Sequence, residues 1–127
     1  MPFVRISLRE GKPPAYRKAI SDGVYEAMLA TINVPAGCRF QLITEHPADG
    51  LIYDAGYLGI SRTDDVVVIQ VTMNQGRTIE LKKALYARIA ENLAKSPGLR
   101  KEDVLISLVE VPKENWSFGN GVASYAV

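Results

Sequence analysis

At 127 residues, 47% hydrophobic and 23% charged, the chain has the composition of one globular domain with a core of its own. A formal net charge of +1 gives no electrostatic footprint for nucleic acid or an anionic membrane, so neither is expected as a partner. A single cysteine, Cys38, and a single histidine, His46, exclude an intrachain disulfide framework and a Cys/His zinc set. The start carries no basic region followed by a signal-like apolar run, and no apolar run approaches membrane-spanning length, so the expected location is cytoplasmic.

The chain opens on Met1-Pro2-Phe3-Val4-Arg5-Ile6-Ser7-Leu8, and the β-branched and apolar content of residues 3–8 predicts a strand. A small second residue is the usual condition for removing the initiator, which would leave Pro2 as a free secondary amine. An unperturbed α-amino group titrates near roughly 7.7–8.0. Desolvation or a neighbouring cation would lower that value and give a neutral base at physiological pH. Met-Pro is equally the start of a rigid strand that does not use the donor proline lacks.

A turn at Glu10-Gly11-Lys12 leads to a helix, for which Pro13 and Pro14 suit the first turn and Tyr16, Ile20, Val24, Ala27 and Met28 form the apolar stripe. That helix ends near Asn33, and residues 40–45 read as a second strand. Residues 47–65 hold Gly50, Gly56 and Gly59 around Leu51-Ile52-Tyr53 and Tyr57-Leu58-Gly59-Ile60, which reads as an inserted turn or hairpin. A strand over 66–73, a turn at Gly76, a helix capped by Thr78 with Leu81, Leu85, Ile89 and Leu93 as its stripe, and a strand over 104–111 follow. Trp116-Ser117-Phe118-Gly119-Asn120-Gly121 reads as part of a terminal hairpin over 112–127, with Gly119 and Gly121 meeting unusual φ requirements.

Setting Gly11 on Gly76 shifts the chain by 65 residues and keeps strand, turn, helix and strand in register without a gap. Residues 3–8 fall on 68–73, Lys12 on Arg77, Lys18-Ala19-Ile20 on Lys83-Ala84-Leu85, and Glu26 on Glu91. The chain is therefore read as one domain of two β-α-β copies, about 2–46 and 66–111. Right-handed crossovers make the strands of each copy parallel. Together the copies predict an α+β two-layer fold: a four-stranded mixed sheet with two helices on one face. The uncovered face, with Phe3, Phe40, Leu42 and Val68 among Arg5 and Ser7, is too apolar to stand in water, which points to self-association.

The terminal Pro2, Glu10-Gly11-Lys12 before a helix, Val34-Pro35 before the second strand, the 65-residue duplication and the closing Trp116–Gly121 run together resemble the tautomerase superfamily over nearly the whole chain. The likeness is to the double-length relatives of the 4-oxalocrotonate tautomerases, and most of all to the malonate semialdehyde decarboxylases. It implies a tautomerase/MIF-like fold, a homotrimer, no cofactor, a small carboxylate-bearing substrate, and the amino-terminal proline as catalyst. By the same resemblance Arg77, in the turn of the second copy, holds the substrate carboxylate.

Proton abstraction beside a carbonyl needs a base, a cation and walls that exclude water. Pro2 supplies the first, Arg77 the second through its planar fork, and Trp116 and Phe118 the third. As ordinary residues these would be a solvated helix-start arginine and the packing of a terminal hairpin. The chain departs from the decarboxylase pattern at Cys38, which stands where the resemblance places an acid, and at Asn74, where it places one of two arginines. Phe40 matches the second arginine of the short tautomerases, and Arg39, one residue earlier, reaches the same side only through a bulge. The departures favour a tautomerase acting on a small 2-oxo acid. A decarboxylase or hydratase, with Asp54 or Glu45 as the acid, and a non-catalytic trimeric binding protein are the alternatives. Glu45-His46 reads as a surface or capping pair, Tyr53 as loop packing, and Arg9 and Lys12 as a charged turn that could help hold an anion.

Overall fold

The computed structural model describes residues 2–125; Met1, on whose removal a free prolyl amine depends, lies outside them. Strand β1 (Phe3–Arg9) leads through α1 (Pro14–Thr31) to β2 (Phe40–His46), and β3 (Val67–Asn74) leads through α2 (Ile79–Lys95) to β4 (Val104–Val111). β1 pairs with β2 and β3 with β4 in parallel, while β1 and β3 run antiparallel at the centre, so the order is β2-β1-β3-β4. Both helices pack on one face, as the two-layer reading expected.

Local chemistry explains the elements. Pro14 stands in the first turn of α1, where its missing N–H costs nothing. In α2 the Thr78 hydroxyl accepts the Leu81 N–H at 3.2 Å, an N-cap that satisfies one of the orphan donors. Each helix offers one buried stripe: Ile20, Val24, Ala27 and Met28 from α1, and Leu85, Ile89 and Leu93 from α2. Leu81, expected to head the second stripe, is 40% exposed, because the first turn of α2 contributes nothing to the core. Strand alternation supplies the other half of the core: Val4, Ile6 and Leu8 with Val67, Ile69, Val71 and Met73 are all buried. At roughly 1.5–3 kcal/mol for each side chain fully removed from water, these rows dominate the stability of the sheet.

On the opposite face Phe40, Leu42 and Leu105 remain 48%, 49% and 41% exposed beside exposed Arg5 and Ser107. The apolar face expected from the sequence is therefore present and uncovered in the single chain.

The duplication continues through hydrogen bonds and loops. Val4 pairs with Gln41 and Ile69 with Ile106, 37 residues on in both copies. The Glu10 N–H donates to His46 O at 2.8 Å, and its counterpart Gln75 donates to Val111 O at 3.0 Å. Arg17 pairs with Glu45 at 3.1 Å, and Lys82 with Glu110 at 2.6 Å. Gly11 and Gly76 take φ of 116° and 119°, a conformation that side chains disfavour. Even the segments beyond the outer strands correspond: Gly50 N–H donates to Pro47 O at 2.8 Å, and Asn115 N–H to Pro112 O at 3.0 Å. The segment 47–65 and the tail are thus counterparts, each leaving an outer strand.

Segment 47–65 takes the turn form of the expected turn or hairpin, and the tail, among the described residues, does not form the expected hairpin. Segment 47–65 contains a 3-10 turn at Tyr57–Gly59 and no strand, because its amides serve local turns: Gly59 N–H to Gly56 O, Ile60 N–H to Tyr57 O, Arg62 N–H to Ala55 O. The tail forms a 3-10 turn at Lys113–Asn115 and then, among the described residues, only turns. Gly119 and Gly121 do adopt positive φ, 138° and 68°, but in a loop that folds back on itself, with Phe118 N–H donating to Ser124 Oγ at 3.1 Å. The last two residues of the expected hairpin lie outside the described residues.

Candidate active site

Antiparallel pairing sets Phe3 opposite Thr72, so Pro2, one residue earlier, lies alongside the end of β3, where Asn74 leads into the Gly76–Arg77 turn. Parallel pairing sets Phe3 beside Phe40, the first residue of β2. The chain start, the second-copy turn and the head of β2 therefore meet at one end of the sheet. Pro2 itself is buried there.

Arg77 is half-buried, and its two terminal nitrogens donate to Asn74 O at 3.1 Å and Ile32 O at 3.3 Å. These bonds fix the guanidinium between the end of β3 and the C-terminus of α1. Nε and a second hydrogen on each terminal nitrogen remain unpaired, and no carboxylate ion-pairs with Arg77 among the described residues. A fixed, unneutralised guanidinium is a receptor for an anion from outside.

The tail supplies the walls. Trp116 and Phe118 stack at 5.1 Å with 12° between their planes, and Phe118 lies 6.0 Å from the Phe40 ring. With Phe3 and Ser117 they enclose a shallow cleft of about 270 Å³ on the uncovered side of the sheet. The Trp116 indole N–H donates to Asn74 Oδ1 at 2.7 Å, which ties the tail to the same strand end that holds Arg77. That bond also fixes the Asn74 amide orientation, since its oxygen is the accepting atom, leaving the NH₂ group as the donor end. Pro2, buried at the head of β1, directly precedes Phe3 of the cleft wall, at the same end of the sheet as the Arg77 turn.

Four of the expected site positions thus gather with Pro2: Arg77, Asn74, Trp116 and Phe118. Arg39 does not. Its terminal nitrogen donates to Asp22 Oδ1 at 2.6 Å and Ser21 Oγ at 2.7 Å, and its guanidinium lies 4.7 Å from the Tyr25 ring centre. The Phe3–Phe40 register continues through β2 without a bulge, so the alternation that turns Phe40 toward the cleft turns Arg39 toward α1. The guanidinium also holds Asp22 below the usual carboxylate range, after the larger contribution of the Lys18 hydrogen bond.

Cys38 is half-buried against the core, with its N–H donating to Pro35 O, as a small hydrophobe would be. Glu45 and Asp54, the acids named for a decarboxylase, belong to the other end of the sheet: Glu45 pairs with Arg17 near the end of β2, and Asp54 accepts the Gly56 N–H at 2.8 Å within the insertion. Sequence reasoning missed Tyr125, which packs edge-on against Phe118 at 5.4 Å. It also took Phe3 only as a face residue, although the pairing with Phe40 makes it part of the cleft wall. The aromatic content of the tail was the available signal for Tyr125; the turn at Gly119–Gly121 that brings it back was not.

A duplicated β-α-β sheet with a buried proline at the head of its first strand, a fixed guanidinium and an aromatic cleft defines the tautomerase class. Family models described as tautomerase enzyme match residues 38–119 and 2–59. The chain is 43% identical over 123 residues to the probable tautomerase YusQ of Bacillus subtilis (strain 168), covering 97% of both chains. Its structure resembles that of FG41 malonate semialdehyde decarboxylase inhibited by 3-bromopropiolate, with a TM-score of 0.91 and 38% identity over 97% of this chain and 93% of that one. It also resembles a fused 4-OT wild type symmetric trimer, with a TM-score of 0.79 and 26% identity over 98% of both chains. The chain belongs to the tautomerase family and is an enzyme of that superfamily. Among the described residues no helix is long and apolar enough to cross a membrane.

Proposed function

We propose that this enzyme is a cofactor-independent tautomerase of small 2-oxo acids in which Pro2, freed by removal of Met1, carries the proton. The observation behind this reading is the half-buried Arg77, fixed by Asn74 O and Ile32 O and making no ion pair among the described residues, at the sheet end where Pro2 is buried. The substrate carboxylate takes the open donors of the guanidinium. The prolyl nitrogen, neutral because burial and a nearby cation both disfavour its protonated form, accepts the C3 proton. Charge that develops on the 2-oxo oxygen is met by the guanidinium and the free amide hydrogens of Asn74. The prolinium then returns its proton to oxygen or to a distal carbon, so the step is an isomerisation with no net change in atoms.

The aromatic lining of the cleft, Phe3, Phe40, Trp116 and Phe118, favours a monocarboxylate with an apolar or aromatic tail over a dicarboxylate. The enzyme acts as a homotrimer, a reading supported by the uncovered Phe40, Leu42 and Leu105 face and by the likeness to the fused trimer. The test is ketonisation of phenylenolpyruvate by protein whose mass shows loss of Met1. A rate well above buffer is expected, falling about 10²–10⁴-fold in Pro2→Ala, the range of general acid–base catalysis. An undiminished rate in that variant overturns the proposal.

The likeness to the FG41 decarboxylase supports a second reading, carbon dioxide loss from a 3-oxo acid. It lacks an acid at Cys38 and is checked by carbon dioxide release from malonate semialdehyde.

A further inference from the structure

The repeat gives each position of the Pro2 end a counterpart 65 residues away, at the opposite end of the central strands. Val67 occupies the place of Pro2, Arg9 that of Asn74, Lys12 that of Arg77, Leu51 that of Trp116 and Tyr53 that of Phe118. The segment that carries Leu51 and Tyr53 is tied to its strand end as the tail is to its own: Arg9 Nη2 donates to Leu51 O at 3.1 Å, where Trp116 donates to Asn74. Between strand end, turn and insertion lies a cleft of about 360 Å³ whose polar lining is Arg9, Glu10, Lys12, Tyr16, Asp64 and Asp65. No prolyl amine exists at this end, because Val67 is an interior residue paired with Leu8.

The difference lies in what the cations hold. Lys12 Nζ pairs with Asp65 at 3.0 Å, and Arg9 pairs with Asp64 at 3.1 Å, while Asp64 also accepts the Tyr53 hydroxyl at 2.6 Å. We infer that this cleft is a second carboxylate-binding site, built like the one at Pro2 and occupied by the chain's own Asp64 and Asp65. The ligand class follows by analogy with those side chains, a small acid with two carboxylates or two small acids, so the inference goes beyond the proposed function and holds whether or not Pro2 is a catalyst. Its consequence is one open anion site per chain where the repeat builds two. The hydrogen bond that Lys12 donates to Asp65 raises the Lys12 pKa, and the one that Tyr53 donates to Asp64 raises the Tyr53 pKa, both directions consistent with seated carboxylates.

The experiment is a site-resolved NMR titration of the full-length protein with malonate, following the Gly11 and Lys12 amides. The unsubstituted chain is expected to show no saturable shift at these amides. The Asp64→Asn/Asp65→Asn variant is expected to show saturable shifts there, with affinity at least tenfold tighter, and the further Lys12→Gln change to remove them. The single Asp65→Asn variant, which keeps the Arg9–Asp64 pair, gives the same readout if the double variant fails to fold. A folded variant without saturable shifts at Gly11 and Lys12 overturns the inference. So does equal binding by the unsubstituted chain, or binding that survives Lys12→Gln.

Discussion

At one end of the central strand pair the chain begins with Pro2 beside Asn74 and Arg77; at the other, Val67 follows two aspartates beside Arg9 and Lys12. Several individual turn hydrogen bonds recur at the two ends, so the scaffold alone does not distinguish them as sites for the proposed chemistry. Two features separate them. One end holds the start of the first strand, and its cation makes no ion pair among the described residues; the other is interior, and its cations pair with Asp64 and Asp65. The acid missing at Cys38 also appears at the far end, since Asp103 is the counterpart of Cys38 in the repeat. It is 1% exposed and structural, accepting the Thr63 N–H and hydroxyl, both at 2.7 Å. A duplicated fold thus keeps its geometry while its polar residues diverge, with an acid serving construction at one end and a small hydrophobe standing in its place at the other.

The sharpest way to break that contrast is to remove the two counterpart cations separately. Arg77→Ala is expected to cut kcat/KM for phenylenolpyruvate ketonisation by about 10²–10³-fold, the cost of losing one preorganised charge-stabilising group. Lys12→Ala, whose ammonium is already paired with Asp65, is expected to change it less than about threefold, in keeping with a solvent-exposed ion pair. Equal losses in steady-state assays of both variants would show that the two ends share the work.

Next in size is the effect of the counterpart pair on stability. Asp103→Ala removes a buried carboxylate and strands the Thr63 N–H, so unfolding in urea is expected to show a loss of about 3 kcal/mol. Cys38→Ala, at a half-buried position where the side chain acts as a small hydrophobe, is expected to cost about 1 kcal/mol or less. A larger loss at Cys38 would place the structural burden at the Pro2 end instead.

The parts of this division that were legible in the sequence are those set by periodicity. Ile20, Val24 and Met28, or Leu85, Ile89 and Leu93, declare a buried helix face, and strand alternation declares the core row from Val67 to Met73. The 65-residue offset then places the turn of Arg77 against the first strand. What stayed hidden depends on where a chain goes after its last strand. Nothing local distinguishes the turns of 47–65 from a hairpin, because glycines and short apolar runs serve both. Nor does the sequence announce that Trp116 bonds Asn74, that Tyr125 returns onto Phe118, or that Asp64 and Asp65 reach Arg9 and Lys12. Arg39 was offered to the site on proximity in sequence, and one residue of alternation sent it to Asp22.

A smaller effect tests the tie between tail and strand. Trp116→Phe keeps an aromatic ring in the cleft wall but deletes the indole donor to Asn74 Oδ1. A net hydrogen bond of about 1 kcal/mol corresponds to about a fivefold loss in kcat/KM, with the far end unaffected. If the tail were held by stacking alone, Trp116→Phe would behave as the unsubstituted protein while Phe118→Ala, which removes contacts to Phe40, Trp116 and Tyr125, would not.

The smallest expected effect is a pH dependence that belongs to neither end. Asp22 is held below its ordinary value of 3.8 by the Lys18 hydrogen bond first and the Arg39 hydrogen bond second. A depressed folded-state pKa means that its contribution to stability is fully present above the unfolded value and is lost as pH falls through the folded one. Its side chain is 35% exposed, so the contribution is weakened by solvent and by salt. Thermal melts of Asp22→Asn and the unsubstituted protein should therefore differ slightly at pH 6 and converge as pH falls through the lowered value of the folded state, with the gap narrowing in high salt. A gap that persists unchanged into acid would mean that Arg39 is held to α1 by the Ser21 hydroxyl and the Tyr25 ring, with the carboxylate incidental to where that strand-head arginine points.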